Sequence, residues 1–318
     1  MHITIVTPAK KNSTSGNRTT ALRWGDLLKA LGHDVEVVTS YNNQPTDLLI
    51  ALHAWRSAAS VEAFRKHRPQ APLIVGLGGT DVNTFLKSDP ETTLKTMGSA
   101  DALIGLHNLI KEELPEHLHA RYVTIYQSAK PLEIPKIFDE SYFDISVIGH
   151  LREEKDPFRS ALASGYLPES SRIRISHYGK ATSDQWANEA RELVARLPRY
   201  RWLDEVSREE IPEVYARSRA MVISSVQEGG ANVVSEALVA DVPIIASDIE
   251  GNTGLMGDDY EGYYPVGNEK ALAQLLGKIE TNPDFYESLQ IYCRDRAREF
   301  TPQREQRAIA ELVNRITA

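Results

Sequence analysis

Short runs of apolar residues alternate with longer amphipathic segments along most of the chain. Six runs in the first half are rich in Val, Ile and Leu and are predicted to be strands, at 2–7, 35–39, 48–53, 73–77, 102–106 and 123–127. Four similar runs follow in the second half, at 145–149, 174–178, 220–225 and 243–247. Strands that are apolar on both faces are typical of parallel sheets covered by helices. The pattern therefore predicts an α/β protein with two doubly wound sheets.

The segments between these runs have the apolar spacing of amphipathic helices. Two examples are RTTALRWGDLLKALG at 18–32, which Gly32 is expected to terminate, and SVEAFRKHR at 60–68. Residues 129–144, AKPLEIPKIFDESYFD, interrupt the alternation with prolines and mixed charges, and we expect an interdomain linker there. The expected domains are a Rossmann-like one over 1–140 and a second one over 141–295. A helix over 296–318 is a candidate to return to the first domain.

Composition narrows the class of protein. The 318 residues exceed the size at which one hydrophobic core stops growing. A net charge of −8, without a block of like charges, argues against a nucleic-acid partner. The single cysteine, Cys293, excludes a disulfide framework and a thiolate metal site. Because signal-peptide and membrane-length apolar patterns are missing from the sequence, we expect a cytoplasmic protein without a membrane partner, and its oligomeric state stays open.

Ligands of doubly wound sheets bind at the carboxyl ends of the strands, so polar residues that follow the strands are candidate site residues. Strand 220–225 is followed by QEGGANVVSEALVADVP at 227–243, where Glu228 and Glu236 flank a helix start near 231–232. The free amides of a helix start suit a diphosphate. Carboxylates can accept hydrogen bonds from adjacent hydroxyl groups, as on a ribose or a sugar ring. Favourable acids around an ordinary helix N-terminus are the alternative explanation.

The stretch EGGANVVSEAL, followed by ADVPIIASDIEGNTGLM, resembles the donor-site signature of glycosyltransferase family 4. The upstream stretches VIGHLREEKD and IPEVYARSRAMVISS are similar to that family's order of elements, so the resemblance covers the second domain. It implies the GT-B fold, in which two Rossmann-like domains face each other across a cleft. It also implies that Glu236 holds the nucleotide ribose and that Glu228 contacts the donor sugar. The residues that the resemblance places at the diphosphate are Gly229, Gly230, Ala231, Asn232 and Val233.

The cations expected at the leaving diphosphate depart from the family pattern. Family members carry a Gly–Arg pair and a Lys five residues after the Arg, whereas this chain has His150 and Lys155 at the two positions. Arg152 could replace the missing arginine, since a guanidinium can hold phosphate bidentately. Catalytic roles are accordingly predicted for Arg152, Lys155 and Glu228, and no metal or cofactor is expected. Trp202, at the end of the strand-like RYRW, lies where relatives hold the nucleobase, and core packing explains it equally well.

The first domain is expected to bind the acceptor. Its strand-end stretches supply cations and hydrogen-bond donors in an acidic protein, which favours a small anionic acceptor. The residues predicted to bind it are Gly16, Asn17, Arg18, His53, Arg56, Ser57, Thr80 and Asp81. The stretches VTPAKKNSTSGNRTTALRW, DLLIALHAWRSAASVEAFR, LIVGLGGTD and GHLREEKDP further resemble the selenosugar synthases, the SenB family of selenoneine biosynthesis.

This second resemblance implies that selenophosphate attacks a UDP-sugar, such as UDP-N-acetylglucosamine or UDP-glucose, to give a 1-seleno sugar, UDP and phosphate. Gly78 stands where many relatives have a threonine, so one acceptor hydroxyl is missing. Three other functions stay open: a family-4 enzyme with a thiol, sugar or lipid acceptor, a sugar-nucleotide epimerase, and a non-catalytic UDP-sugar sensor. A dehydrogenase is disfavoured because TPAKKNSTSGNRTT lacks the three-glycine fingerprint. Sugar preference and the anomeric outcome, retaining or inverting, are not determined by the sequence.

Overall fold

The computed structural model describes residues 1–13 and 15–318. The chain divides into two compact units, each with one six-stranded sheet. The first unit comprises Met1–Ser128, Gly229–Ala231 and Pro302–Ala318, and the second comprises Ala129–Glu228 and Asn232–Thr301. Ala129, with which the predicted linker begins, is the first residue of the second unit.

The sheet of the first unit has the strand order β2-β1-β3-β4-β5-β6, and every neighbouring pair is parallel. The strands are β1 (His2–Val6), β2 (Asp34–Val38), β3 (Leu48–Leu52), β4 (Leu73–Gly76), β5 (Ala102–Gly105) and β6 (Tyr122–Thr124). The six strands predicted for this half are all present, with ends shifted by no more than three residues. Every residue of β3, β4 and β5 is buried, as expected of strands that helices cover on both faces.

Helices and short helical turns connect these strands. They are α1 (Gly16–Ala30), α2 (Ala58–His67), a π-helical turn (Asp81–Phe85), α3 (Leu86–Ser88), α4 (Pro90–Ser99), and two 3₁₀ turns (Asn108–Glu113 and Glu116–Arg121). Gly32 terminates the first helix as predicted. It has a φ of 86°, a left-handed conformation that glycine adopts without a steric cost, and the next residue, His33, donates its N–H to the carbonyl of Leu28.

The sheet of the second unit has the strand order β12-β11-β10-β7-β8-β9 and is also parallel throughout. Its strands are β7 (Phe143–Ile148), β8 (Ile173–Tyr178), β9 (Tyr200–Trp202), β10 (Ala220–Ile223), β11 (Ile244–Ser247) and β12 (Tyr263–Tyr264). The four predicted strands are β7, β8, β10 and β11, and β9 coincides with the strand-like RYRW. The two-residue edge strand β12 was not predicted, because so short a segment shows no periodicity.

The helices of the second unit flank this sheet. They are α5 (Arg159–Ser164), α6 (Asp184–Arg196), α7 (Ile211–Arg217), α8 (Asn232–Val239), α9 (Glu250–Met256), α10 (Glu269–Thr281) and α11 (Pro283–Ala297). Cys293 on α11 is buried, and burial raises the pKa of its thiol to about 11. No helix in residues 1–13 and 15–318 has both the length and the apolar composition needed to cross a bilayer.

Each sheet has one point at which its winding direction reverses. In the first unit β1 lies between β2 and β3, so the reversal falls between β1 and β3. In the second unit it falls between β7 and β10. Loops that leave the two central strands diverge there and open a crevice at the carboxyl edge of the sheet, where doubly wound proteins bind ligands. The loops after β1, β3, β7 and β10 are therefore the positions that matter for function.

The last helix, α12 (Pro302–Thr317), belongs to the first unit. Its Ile309, Leu312 and Val313 share a buried apolar cluster with Trp24 and Leu28 of α1. This packing covers one face of the first sheet with a segment that lies at the far end of the sequence.

A buried carboxylate, Glu305, stands in the first turn of α12. It accepts hydrogen bonds from the Trp24 indole N–H at 2.8 Å, from Arg23 Nε at 3.0 Å and from the main-chain N–H of Ser128 at 2.8 Å. The hydroxyl of Ser128 donates to the same carboxylate. Glu305 therefore joins α12 both to α1 and to the residue at which the chain leaves the first unit.

Two buried histidines, one in each unit, are held neutral. Burial lowers the pKa values of His107 and His177 to about 4. His177 lies in β8, with Nε2 3.0 Å from the carbonyl oxygen of Gly149 and Nδ1 3.0 Å from the hydroxyl of Tyr200. Because a carbonyl oxygen only accepts, Nε2 carries a proton, and in the neutral ring that burial favours Nδ1 accepts from the Tyr200 hydroxyl.

The free energy of unfolding is expected to fall as the pH drops from 6.5 towards 4. In that interval the unfolded histidines bind protons and the folded ones do not, so acid favours the unfolded chain. For His177, the expected loss in the free energy of unfolding between pH 7.5 and pH 5.0 is about 2 kcal/mol. Urea unfolding at both pH values measures this pH dependence. It is done for the wild type, for His177→Gln and for the exposed control His117→Gln. The His177 variant should lose about 2 kcal/mol of pH dependence, and an unchanged dependence would contradict the assignment.

Candidate functional site

The loops after β7 and β10 meet at the reversal point of the second sheet. The hydroxyl of Ser224, which follows β10, donates to the carbonyls of Lys155 and Asp156 at 3.1 and 2.9 Å. The N–H of Val226 donates to the carbonyl of Glu154 at 3.0 Å. These bonds connect two loops that are distant in sequence, and they fix the position of the main chain at Lys155.

Lys155 and Glu228 form an ion pair in these loops. Lys155 Nζ contacts Glu228 Oε1, and the hydroxyl of Ser225 donates to the same oxygen at 2.6 Å. The two side chains are only 19% and 11% exposed, so water and salt screen their attraction weakly. Gly251, near the start of α9, packs so closely that a Cβ there would lie 2.6 Å from the Cβ of Glu228. The carboxylate is thus held by a cation, a hydroxyl and a close backbone.

Helix α8 begins four residues after Glu228, at Asn232, where the sequence predicted a helix start. Gly230, with a φ of 115°, makes the turn that precedes it. Glu236 lies on this helix, with Oε2 3.3 Å from the hydroxyl of Tyr215, and that hydroxyl is 3.2 Å from the carbonyl of Val233. Burial, and secondly the charge of Glu236, raise the pKa of Tyr215 well above its ordinary value. Tyr215 is therefore protonated, and its one proton is shared between the Val233 carbonyl and Glu236.

The glycine loop Gly229–Ala231 groups with the first unit. There the main chain of Gly229 packs directly against Gly79, and a Cβ on Gly230 would lie 2.6 Å from the Cβ of Leu106. A side chain at 229 would displace the backbone of Gly79, and one at 230 would displace the side chain of Leu106. Glycine is required at 229 and 230 for packing, in addition to any contact with a ligand.

His150 and Arg152, the two candidates for the missing arginine, have different surroundings. The Nδ1 of His150 accepts the N–H of Lys180 at 3.2 Å, and burial lowers the pKa of His150. The imidazole is therefore neutral at pH 7 and does not carry the charge of an arginine. Arg152 is exposed and pairs with Glu154 at 3.3 Å. Of the predicted cations, Lys155 is the one that the fold places beside Glu228.

Trp202 ends β9 and is partly buried. Its indole N–H donates to the carbonyl of Gly179 at 2.8 Å, and the guanidinium of Arg191 lies 5.8 Å from the ring centroid. Because its one donor bonds to the main chain, Trp202 could meet a nucleobase only with the face or edge of the ring. This geometry fits both packing and base stacking.

In the first unit, α1 begins at the reversal point after β1. Its first turn contains no acidic residue, and within the described part of the chain the N-cap Ser15 makes no side-chain capping bond. Gly16 and Asn17 open the helix, and Arg18 follows in the same turn. The helix start therefore presents amides and positive charge without a protein carboxylate nearby in sequence, which favours an anion.

Arg18 is buried although its side chain is charged. It is 9% exposed, and across residues 1–13 and 15–318 its Nε has no hydrogen-bond partner. Burying a guanidinium without a counter-charge costs several kcal/mol, so buried arginines in proteins are normally paired. An anion bound at the start of α1 would remove this cost.

Asp81 organises the loops after β3 and β4. It is fully buried and accepts the main-chain N–H groups of Ala54 at 2.8 Å, Trp55 at 2.9 Å and Gly78 at 2.8 Å. Its Oδ1 also lies 2.7 Å from Nδ1 of His53. A single carboxylate thus satisfies three backbone donors from two loops and one imidazole.

His53 connects this buried carboxylate to the surface. Its Nε2 is 2.8 Å from the hydroxyl oxygen of Thr80 and 3.2 Å from Nε of Arg56, and both of these residues are exposed. The 2.7 Å contact with Asp81 requires a proton on Nδ1, whereas the permanently protonated Arg56 requires a lone pair on Nε2. The Arg56 main-chain N–H also lies 3.2 Å from Nδ1, and the shorter contact with Asp81 decides where the proton resides. The Nδ1–H tautomer of His53 satisfies these contacts.

A comparison with known proteins identifies the family. The sequence profile described as glycosyl transferases group 1 matches residues 132–298, more than half of the chain. The chain belongs to the group 1 glycosyl transferases. Glycosyltransferase 1 domain-containing protein 1 of Xenopus tropicalis is 24% identical to it over 297 residues, with 85% of each chain covered.

Solved structures show that this glycosyltransferase has the GT-B fold. Alr3699/HepE of Anabaena, in complex with UDP, matches it with a TM-score of 0.79 at 15% identity over 99% of this chain and 100% of that one. Sucrose-phosphate synthase of Thermosynechococcus elongatus has a TM-score of 0.80 at 14% identity, over 99% of this chain and 98% of that one. The fold predicted from the sequence is thereby confirmed.

Within each unit of this glycosyltransferase, several predicted site residues lie together. The second unit brings together Lys155 and Glu228, and the first brings together His53, Arg56, Thr80 and Asp81. Ser57 is different, because its hydroxyl is buried and donates to the carbonyl of Leu52 at 2.6 Å. It supports the loop after β3.

Two residues of these clusters were not predicted to be functional. Ser225 bonds Glu228, and Tyr215 bonds Glu236. Ser225 is the last residue of a predicted strand, a position at which ligand-binding residues are common. Tyr215 lies within the helical pattern IPEVYARSR and has no local signal of function, because its contact depends on how α7 and α8 pack.

Proposed function

We propose that this glycosyltransferase is a selenosugar synthase. It joins selenophosphate to the anomeric carbon of a UDP-sugar, such as UDP-N-acetylglucosamine or UDP-glucose, and releases UDP and phosphate. The observation that carries the proposal is Arg18, whose buried Nε has no hydrogen-bond partner in the described chain and which stands at a helix start in the domain expected to bind the acceptor. Such a site suits a small anion and suits a neutral sugar poorly.

The second unit supports the donor half of the proposal. Lys155 and Glu228 lie at the reversal point of its sheet, and α8 begins shortly after them. In the proposed site, Lys155 and the amides of 231–233 stabilise the negative charge of departing UDP, while Glu236 accepts ribose hydroxyls and Glu228 contacts the sugar. The Anabaena protein was solved with UDP and with UDP-glucose, which supports the same class of donor here.

The first unit supports the acceptor half. Arg18 after β1 and Arg56 after β3 belong to loops on neighbouring strands, so their cations serve the same edge of the sheet. The selenium of selenophosphate is already an anionic nucleophile, so the transfer to the sugar depends on positioning and on leaving-group charge. A neutral sugar acceptor would leave the charge of Arg18 uncompensated.

Supplying the purified protein with UDP-N-acetylglucosamine, with and without selenophosphate, tests the proposed function. UDP release is followed enzymatically and the sugar product by mass spectrometry. We expect UDP and a selenium-containing sugar only when selenophosphate is present. Conversion of the UDP-sugar alone to an epimer, or tight binding without UDP release under any acceptor condition, would replace this proposal with an epimerase or a sensor.

The two units should respond differently to substitution. Glu236→Ala is expected to weaken UDP binding by about 10- to 100-fold, because charge-assisted bonds to the ribose are lost. Arg18→Met should leave the UDP affinity within about twofold and raise the KM for selenophosphate about tenfold or more. Isothermal titration with UDP and initial rates measure these effects, with the exposed Glu189→Ala as control. An equal loss of UDP affinity in the Glu236 and Arg18 variants would contradict the division of roles.

A further inference from the structure

A line of side-chain contacts joins Asp81, His53 and Thr80. Binding an anion would not by itself require this arrangement. Asp81 Oδ1 lies 2.7 Å from His53 Nδ1, and His53 Nε2 lies 2.8 Å from Thr80 Oγ1. Carboxylate, imidazole and hydroxyl in this order form a relay in which the imidazole takes a proton from the hydroxyl and the carboxylate stabilises the imidazolium. The tautomer that Asp81 selects leaves one lone pair on Nε2, for which the Thr80 hydroxyl at 2.8 Å and the Arg56 Nε–H at 3.2 Å compete, and the shorter contact favours Thr80.

Burial divides this relay into an internal and an external part. Asp81 is 0% exposed and His53 is 2% exposed, whereas Thr80 is exposed. A bound substrate can therefore reach the hydroxyl of Thr80 and not the two groups behind it. Arg56, also exposed, places its Nε 3.2 Å from His53 Nε2, so its guanidinium lies beside the same hydroxyl and can hold phosphoryl oxygens.

The backbone of these loops adopts conformations that are uncommon outside functional sites. His53 has a φ of 70°, in the left-handed region, which is strained for a residue with a side chain. Asp81 opens a π-helical turn, a rare element that is frequent at active sites. The hydrogen bonds that Asp81 accepts from Ala54, Trp55 and Gly78 hold this conformation.

The proposed reaction contains a second step that needs such a relay. When selenium attacks the anomeric carbon, a C–Se bond forms and the C–O bond to UDP breaks, and the sugar then carries a phosphoryl group on selenium. Release of phosphate consumes one water: an O–P bond forms, the Se–P bond breaks and its electron pair stays on selenium. Water must lose a proton in this step, so a base is required, unlike in the first step.

We propose that Thr80, His53 and Asp81 catalyse this hydrolysis of the Se–P bond, an inference that rests on the proposed function. Thr80 accepts the proton of the attacking water while its own proton moves to His53 Nε2. The imidazolium, stabilised by Asp81, then returns a proton through Thr80 to the selenolate, which leaves as the selenol. Arg56 holds the phosphoryl oxygens during the transfer. Thr80 is the catalytic residue that contacts the substrate, and His53 and Asp81 act through it.

The ratio of phosphate released to UDP released tests this inference. The wild type, Thr80→Ser and the control Thr281→Val, an exposed threonine at the end of α10, are expected to give a ratio of about 1. Thr80→Val and His53→Gln are expected to lower the ratio about tenfold or more, because one member of the relay is lost. Mass spectrometry should then show a sugar that still carries phosphate on selenium. Rescue by serine separates the loss of a hydroxyl from a change of shape.

The outcomes separate this inference from the proposed function. UDP release with a phosphate-to-UDP ratio near 1 in both Thr80→Val and His53→Gln would overturn the relay and leave the transfer to selenophosphate standing. UDP release without phosphate from the wild type would do the same. A wild-type protein that releases no UDP from a UDP-sugar with selenophosphate would overturn the proposed function, and the relay with it.

Discussion

Lys155→Met is expected to lower the rate of UDP release by about 10²- to 10³-fold. The ammonium group lies in a weakly screened pair with Glu228, at the reversal point of the second unit's sheet. In the proposed reaction, negative charge develops on the departing diphosphate, and a fixed cation in a water-poor site stabilises it without reorganisation. Initial rates at saturating UDP-sugar and acceptor measure the loss.

The experiment must distinguish two roles of Lys155: the positive charge that it contributes and the support that it gives to the side chain of Glu228. Removing the lysine also leaves a mostly buried carboxylate without its cation, which destabilises the loop by itself. The double variant Lys155→Met with Glu228→Gln removes that unpaired charge. If it regains stability but not rate, Lys155 acts on the leaving group, whereas recovery of the rate would show that the lysine only positions Glu228. Lys66→Met, at an exposed position on α2, is the control for loss of one positive charge.

Glu305→Ala is expected to lower the free energy of unfolding by about 3–5 kcal/mol. The substitution removes the acceptor of four donors: Arg23 Nε, the buried indole N–H of Trp24, and the main-chain N–H and hydroxyl of Ser128. It also creates a cavity between α12 and α1, and both the unpaired groups and the cavity destabilise a buried site. Chemical denaturation followed by circular dichroism measures the change.

Matched variants on the same helix make this prediction specific. Glu305→Gln keeps the shape and one of the two acceptor oxygens and should cost less than the alanine variant, because its NH₂ group faces the donors of only the other oxygen. Glu311→Ala changes an exposed glutamate of α12 and is expected to stay within about 0.5 kcal/mol of the wild type. A Glu305→Ala protein as stable as the Glu311 variant would show that the Glu305 network contributes little to holding α12.

The strands illustrate what can be read from a linear pattern. Runs such as 48–53 and 73–77 were predicted because a strand covered on both faces contains apolar residues without interruption. The order of the strands in the sheet cannot be predicted in the same way. Nothing local in the sequence states that β7 lies beside β10 and not beside β9, because that arrangement depends on how the intervening helices cover the sheet.

The candidate sites show the same division. Glu228, Glu236 and Lys155 were predicted because a glycine loop before a helix and a lysine after a strand are patterns of adjacent residues. The contact between Lys155 and Glu228 joins positions 73 residues apart. This contact exists because β7 and β10 are neighbouring strands. Arg152, which was also predicted to be catalytic, lies three residues before Lys155 in the sequence but pairs with Glu154.

The sequence by itself determined the alternation of buried strands and amphipathic helices, the two-sheet architecture, and the residue types at the strand ends, since each of these is encoded by neighbours in the chain. The tertiary structure alone decided that Asp81 lies beneath His53, that Thr80 stands at the exposed end of that pair, and that the buried Nε of Arg18 has no hydrogen-bond partner among the described residues. The physical reason is that hydrogen bonds and desolvation depend on which distant segments meet, and strand order, which no local pattern encodes, decides which segments those are.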